Sequence, residues 1–269
     1  RRHSSGSAFF MPETGSFLHC WKQNTKPMSR RTIAIAAALS VLALGSPLIT
    51  GCTNPLGIQY FNQGVEKYEA GNYQGAIDDW SKAIEINPQN ADAYYNRGNA
   101  KDNLGDDQGA IADYTRAIEI NPQDPDIYEN RGNVKYQLND YQGAISDYNK
   151  ALKIDPKSKI AYYNRGNANS RLKDYKRAIS DYSKSLENDP NYESAYYNRG
   201  ISEYRLKNYQ RAIADFTKAM EINPENGSFY VNRGVARELV NDLAGACSDW
   251  RKAADFGLKE PAEWVKNQC

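Results

Sequence analysis

Residues 91–122 read ADAYYNRGNAKDNLGDDQGAIADYTRAIEINP, and close variants of this wording return every 34 residues. Pro88, Pro122, Pro156, Pro190 and Pro224 mark the period, and Asn-Arg-Gly recurs at 96–98, 130–132, 164–166, 198–200 and 232–234. A fixed period of this size is the signature of a solenoid, in which each unit buries its apolar face only against its neighbours. Such an array offers a long curved surface and no single pocket, so a binding scaffold is expected, not an enzyme.

Within the quoted stretch, Tyr94, Gly98 and Ala100 sit at helical intervals over 91–104, and Gly105-Asp106 breaks the pattern. Ala110, Ile111, Tyr114, Ala117 and Ile118 then carry a second helix over 108–121, which Pro122 stops. Two helices of this length with a short turn make an αα-hairpin. Gly98 and Ala110 are small where the two helices approach closely, and Tyr114 and Ala117 are expected to pack into the next hairpin.

These units resemble tetratricopeptide repeats. The family pattern has an aromatic at position 4, Gly at 8, Tyr at 17, Ala at 20, an aromatic at 24, Ala at 27 and Pro at 32. Here those positions are Tyr94, Gly98, Asp107, Ala110, Tyr114, Ala117 and Pro122. Asp107 departs from the pattern, whereas Tyr73, Tyr141, Tyr175 and Tyr209 fit it. The resemblance implies an all-α, right-handed solenoid of about six helix-turn-helix units, at 57–90, 91–124, 125–158, 159–192, 193–226 and 227–260. They cover about three quarters of the chain. The last unit is degenerate, with Leu243 for Tyr, Cys247 for Ile and Gly257-Leu258 in place of Asn-Pro; residues 261–269 read as a capping helix with Trp264 at the aromatic position.

Composition narrows the function. Residues 1–51 hold six Arg or Lys and one Glu, so the rest carries 28 basic and 32 acidic side chains. That balance makes no phosphate-tracking basic stripe, and nucleic-acid binding is not expected. Both histidines, His3 and His19, precede Cys52, which removes the usual general base and the usual metal ligand from the repeats. No cofactor and no metal site are expected.

The N-terminus reads as an address. Arg30-Arg31 precedes an uncharged stretch over 32–65, apolar at 33–44, and residues 48–52 read Leu-Ile-Thr-Gly-Cys. This resembles a bacterial lipobox, which implies a signal peptide over 28–51, lipidation at Cys52 and a short linker over 52–56. Residues 1–27 then read as an upstream extension with no structural role. The alternatives are ordinary cleavage, giving a periplasmic or secreted protein, and an uncleaved single span. Each places the repeats outside the cytoplasm.

Two columns of polar residues stand out against the apolar pattern. Position 7, usually apolar in the family, is Arg97, Arg131, Arg165, Arg199 and Arg233, with Gln63 in the first unit. Position 23 is Asp79, Asp113, Asp147, Asp181, Asp215 and Asp249. Facing one another inside each hairpin, they predict a repeated Arg–Asp bridge, with Gln63–Asp79 as a neutral-donor version. Position 6 is Asn62, Asn96, Asn130, Asn164, Asn198 and Asn232, joined by Asn99, Asn133 and Asn167 at position 9. The resemblance places the first helix of each unit on the concave face. A column of amides there, with Tyr95, Tyr163 and Tyr197 beside it, suits an extended peptide backbone; its alternative role is bonding to the neighbouring helix. A carboxylate clamp needs Lys or Arg at positions 5 and 9 of early units, where Phe61, Val65, Tyr95 and Asn99 stand. Cys247 and Cys269 are the thiols left once the leader is removed and Cys52 is lipidated, and a disulfide between them would staple the capping helix.

The expected function is a lipid-anchored, extracytoplasmic adaptor that binds extended segments or surfaces of other proteins, assisting assembly of envelope or membrane complexes. The alternative is an architectural protein that self-associates through its repeats as a homo-oligomer.

Overall fold

The computed structural model describes residues 54–269; the leader, the lipobox and Cys52 lie outside the described residues. Among the described residues thirteen helices and no strands follow in order: α1 (Pro55–Glu69), α2 (Tyr73–Ile86), α3 (Ala91–Asn103), α4 (Asp107–Ile120), α5 (Pro125–Gln137), α6 (Tyr141–Ile154), α7 (Lys159–Arg171), α8 (Tyr175–Asn188), α9 (Glu193–Arg205), α10 (Tyr209–Ile222), α11 (Gly227–Glu238), α12 (Leu243–Asp255) and α13 (Lys259–Gln268). Each odd helix pairs with the even helix after it, and each even helix packs on the next odd one. This is the expected all-α solenoid.

Local chemistry sets the helix ends. Asn72, Asp106, Asp140, Asp174 and Asp242 each accept a hydrogen bond from the backbone N–H three residues on, capping the second helix of a pair. Asn87, Asn121, Asp155, Asp189 and Asn223 end the second helices of the first five pairs, and a proline follows each, unable to continue the ladder. First helices end in a turn that needs one left-handed residue: Gly71, Gly105, Asn139, Lys173, Lys207 and Asn241, at φ of 62° to 80°. Helix α3 stops one residue before the sequence pattern does: Leu104 is its cap, its N–H still donating to the Ala100 carbonyl. Helix α13 begins two residues before Pro261, because a proline in the first turn gives up an N–H that has no intrahelical acceptor.

Packing follows the small-large pattern. The position-20 alanines Ala76, Ala110, Ala144, Ala178, Ala212 and Ala246 are fully buried, and so, within 1%, are Trp80, Tyr114, Tyr148, Tyr182, Phe216 and Trp250 at position 24. Each of these rings lies against the position-8 glycine of its own pair. A Cβ on Gly166 would fall 2.7 Å from Tyr182 Cε1, so no side chain fits there without displacing a fully buried ring. Tyr114 also packs with Ala117 against Ile127 and Val134 of the next pair, which makes one ring serve two interfaces.

Successive first helices touch one another, whereas successive second helices make no comparable contact. A stack whose elements approach on one side is curved toward that side, so α1, α3, α5, α7, α9 and α11 line its inner face. Their register places the polar columns.

Candidate functional site

Arg97 holds Asp113 through two hydrogen bonds, Nε to Oδ2 at 2.8 Å and Nη2 to Oδ1 at 2.7 Å. Arg131–Asp147, Arg165–Asp181, Arg199–Asp215 and Arg233–Asp249 repeat the fork. The aspartates are at most 7% exposed. The planar guanidinium matches a carboxylate in this two-point geometry, and a lysine would not. The sequence alone did not disclose two further contacts. The remaining Nη1 reaches back to position 25 of the preceding pair, Ser81, Thr115, Asn149, Ser183 or Thr217, at 2.6–3.0 Å. A position-11 side chain adds a second donor to the carboxylate: Lys101, Lys135, Asn169 or Arg237. The arginines therefore tie each pair to the one before it.

The first pair corrects the expectation. Asp79 is held by Lys67 at 2.5 Å and approached by Lys82 at 3.6 Å, not by Gln63. Lys67 occupies position 11, from which a long ammonium side chain reaches the buried carboxylate without an arginine at position 7.

The asparagine columns form rungs between neighbouring pairs. Asn130 Nδ2 donates to Asn99 Oδ1 at 3.1 Å and to the Tyr95 hydroxyl at 2.9 Å, while the Tyr114 hydroxyl donates to the same Asn99 oxygen at 2.7 Å. The next rung joins Asn164, Asn133 and Tyr148, and the third joins Asn198, Asn167, Tyr163 and Tyr182. Asn232 bonds to Tyr197 and to the Ser228 carbonyl, and Asn62 in the first pair is exposed. Asn96 and Asn167 are buried at 5% exposure. Burial raises Tyr95 and Tyr114 well above the usual tyrosine range, so both hydroxyls stay protonated donors and acceptors. One signal in the sequence does announce the rungs. Asn at position 9 occurs where position 24 is Tyr, and Val65, Ile201 and Val235 replace it where the ring is Trp80, Phe216 or Trp250.

Of the three tyrosines set beside the column, Tyr163 is buried and Tyr95 and Tyr197 are half-buried. Tyr163 is 8% exposed, with ring centroids 5.9 Å from Tyr182 and 4.8 Å from Tyr192, and Tyr197 lies between Phe216 and Phe229. They fill the seams between pairs. What the rungs leave over is polar: the Oδ1 of Asn130, Asn164 and Asn198, and the Nδ2 of Asn133 and Asn167, have no bonded partner among the described residues.

A second motif runs beside the rungs. Tyr68–Tyr73, Tyr136–Tyr141 and Tyr204–Tyr209 clasp the ends of their helices edge to face, at 5.2–5.4 Å. In the second pair the same two positions are Asp102 and Asp107. Burial, with the Asp107 charge added, pushes the Asp102 carboxyl up to about 6. A raised acid favours folding below its unfolded value near 4, and that contribution is lost as pH rises through about 6. Asp102→Asn is therefore expected to stabilise the protein at pH 8 by about 1–2 kcal/mol, discounted for partial exposure. At pH 4 it should change little. Denaturant midpoints at the two pH values measure the difference.

At the C-terminus, Cys247 and Cys269 are joined, with Cα atoms 5.7 Å apart. Trp264 of α13 meets Trp250 of α12 edge to face at 5.3 Å. Among the described residues no group of three His, Cys, Asp or Glu side chains is placed to hold a metal ion, and no helix is long and apolar enough to cross a membrane.

Comparison with known proteins agrees with this architecture. A profile described as "TPR repeat" matches residues 64–105, 103–139 and 132–173, and one described as "Tetratricopeptide repeat" matches 160–192 and 194–226. No curated protein sequence matches significantly. Among solved structures, MamA is similar at 25% identity and a TM-score of 0.58, over 60% of this chain and 94% of that one. YrrB, described as a TPR protein with an unusual peptide-binding site, is similar at 24% identity and a TM-score of 0.62, over 70% and 97%. PilF of Pseudomonas aeruginosa is similar at 18% identity and a TM-score of 0.66, over 80% and 98%. With matched repeats over more than half its length and helix pairs stacked throughout the described residues, the chain belongs to the tetratricopeptide-repeat family.

Proposed function

We propose that the protein is an adaptor that holds extended segments of other proteins along its inner face, anchored outside the cytoplasm by lipid on Cys52. The observation that carries the reading is the row of amide atoms the rungs leave over. Each inter-pair rung consumes the position-6 Nδ2 and the position-9 Oδ1. Position-6 acceptors and position-9 donors remain, repeated at the spacing of the helix pairs. An extended backbone presents alternating N–H and C=O groups, which such a row can satisfy whatever the side chains. The peptide-binding site named for YrrB is in keeping with this reading. A role in assembling envelope complexes is in keeping with the similarity to PilW, described as a type IV pilus biogenesis factor.

Replacing Asn130 and Asn164 together by Ala is expected to weaken binding of a captured client by about 1–3 kcal/mol. The rungs are also structural, so the same double variant should lose some stability; helicity and melting must be read beside affinity. An affinity unchanged in a folded double variant rejects the amide column as the binding element. The anchor is tested separately: intact mass of the membrane-extracted protein should begin at a lipid-bearing Cys52, and Cys52→Ala should release the protein from the membrane.

A further inference from the structure

The turns that join the two helices of each pair lie along one edge of the stack, because every pair runs in the same direction. On the first three pairs this edge is acidic. Residues 68–75, 102–109 and 136–143 carry Glu69, Asp102, Asp106, Asp107 and Asp140 and no Lys or Arg. On the next two it is basic: residues 170–177 and 204–211 carry seven Lys or Arg, among them Arg171, Lys173, Lys176, Arg177, Lys207 and Arg211, against Asp174 as the one acid. All six named cations are exposed. Lys173 and Lys207 stand at the left-handed turn position that Gly71 and Gly105 fill in the first two pairs, so the chain carries charge where glycine is the easier residue. Between the two halves runs an apolar row, Leu104, Leu138 and Leu172, exposed by 51%, 40% and 39%.

We propose that this edge is where two copies of the protein meet, edge to edge and antiparallel. The order of charges decides the arrangement. A parallel pairing sets acid on acid and base on base. An antiparallel pairing about a two-fold axis at the third pair sets the second pair on the fourth and the first on the fifth, so these acidic turns meet basic ones, twice per dimer, while the third turn, with Asp140, meets its own copy. The same axis sets Leu138 against its own copy and Leu104 against Leu172, which gives the contact an apolar centre with a charged rim. Charge complementarity of this kind steers association and fixes register, and salt weakens it. The inner face stays open, so this pairing is independent of client binding.

Sedimentation of the full chain in non-ionic detergent tests the proposal. A dimer is expected at about 20 mM salt and a monomer at about 500 mM, where the Debye length has fallen to a few ångströms. Glu69→Lys with Asp107→Lys takes the first three turns from a net charge of −5 to −1, and Lys173→Glu with Lys207→Glu takes the next two from +6 to +2. Each variant alone should dimerise at least tenfold more weakly, and an equimolar mixture should recover a one-to-one dimer. A parent that stays monomeric at low salt overturns the proposal. So does a dimer indifferent to salt, or two variants of native helicity that fail to pair. The salt series on the parent decides the matter even if a variant misfolds.

Discussion

Replacing Arg165 by Leu is expected to lower stability by about 3–5 kcal/mol, because it strands a buried carboxylate. Asp181 receives three contacts within 3.2 Å from that guanidinium, and its other donor is the neutral amide of Asn169. Arg165 also bonds to Asn149 of the preceding pair, so the interface between the third and fourth pairs loosens as well. Arg131→Leu is the informative contrast. There Lys135 remains 2.7 Å from Asp147 and keeps the charge compensated, so a loss well below that of Arg165→Leu is expected. Adding Asp181→Asn to Arg165→Leu removes the stranded charge and should restore a large part of the loss. Equal melting of the parent and both arginine variants would mean that water compensates the aspartates.

The second large effect lies at the C-terminus. Breaking the Cys247–Cys269 link with Ser at both positions should cost the last pair and α13 about 3 kcal/mol, the chain-entropy value for a loop of this length. Its sequence separation is 22 residues, and it ties the end of α13 to a core position of α12. A repeat array has only nearest-neighbour support, so the loss should appear as early amide exchange in α12 and α13, with α3 to α8 unaffected. Exchange in α13 that is equally slow with and without the link would show that Trp264 and Pro261 hold the helix by themselves.

The fold was legible because the period is long and strict. Gly98 beneath Tyr114, Ala110 at the crossing and Pro122 after the second helix each have one physical role, and each recurs. The Arg and Asp columns were legible as residue types facing one another. Their further contacts were not, since Ser81 belongs to the preceding pair and its distance from Arg97 depends on how pairs stack. Lys67 was missed for a related reason: position 11 changes identity along the chain, so no column announces it. The asparagine column suits both a peptide surface and bonding to the neighbouring helix in sequence, and the rungs of Asn130, Asn164 and Asn198 show part of each amide spent between neighbours. Residue type alone does not show that the Tyr163 ring fills a seam, where it is 8% exposed. Asp102 was silent in sequence. Its environment becomes clear only when Asp107 is seen in the place of a clasping tyrosine.

On the proposed function, the inner face grips peptide backbone and not particular side chains. Binding of a synthetic client segment, compared with two altered versions, tests it most directly. One version carries Ala at successive side chains, and the other carries N-methyl groups at alternate backbone nitrogens. Backbone recognition predicts that the alanine series binds within a few-fold of the parent, while N-methylation costs about 1–1.5 kcal/mol for each donor removed. An alanine series that abolishes binding, with N-methylation tolerated, would contradict it.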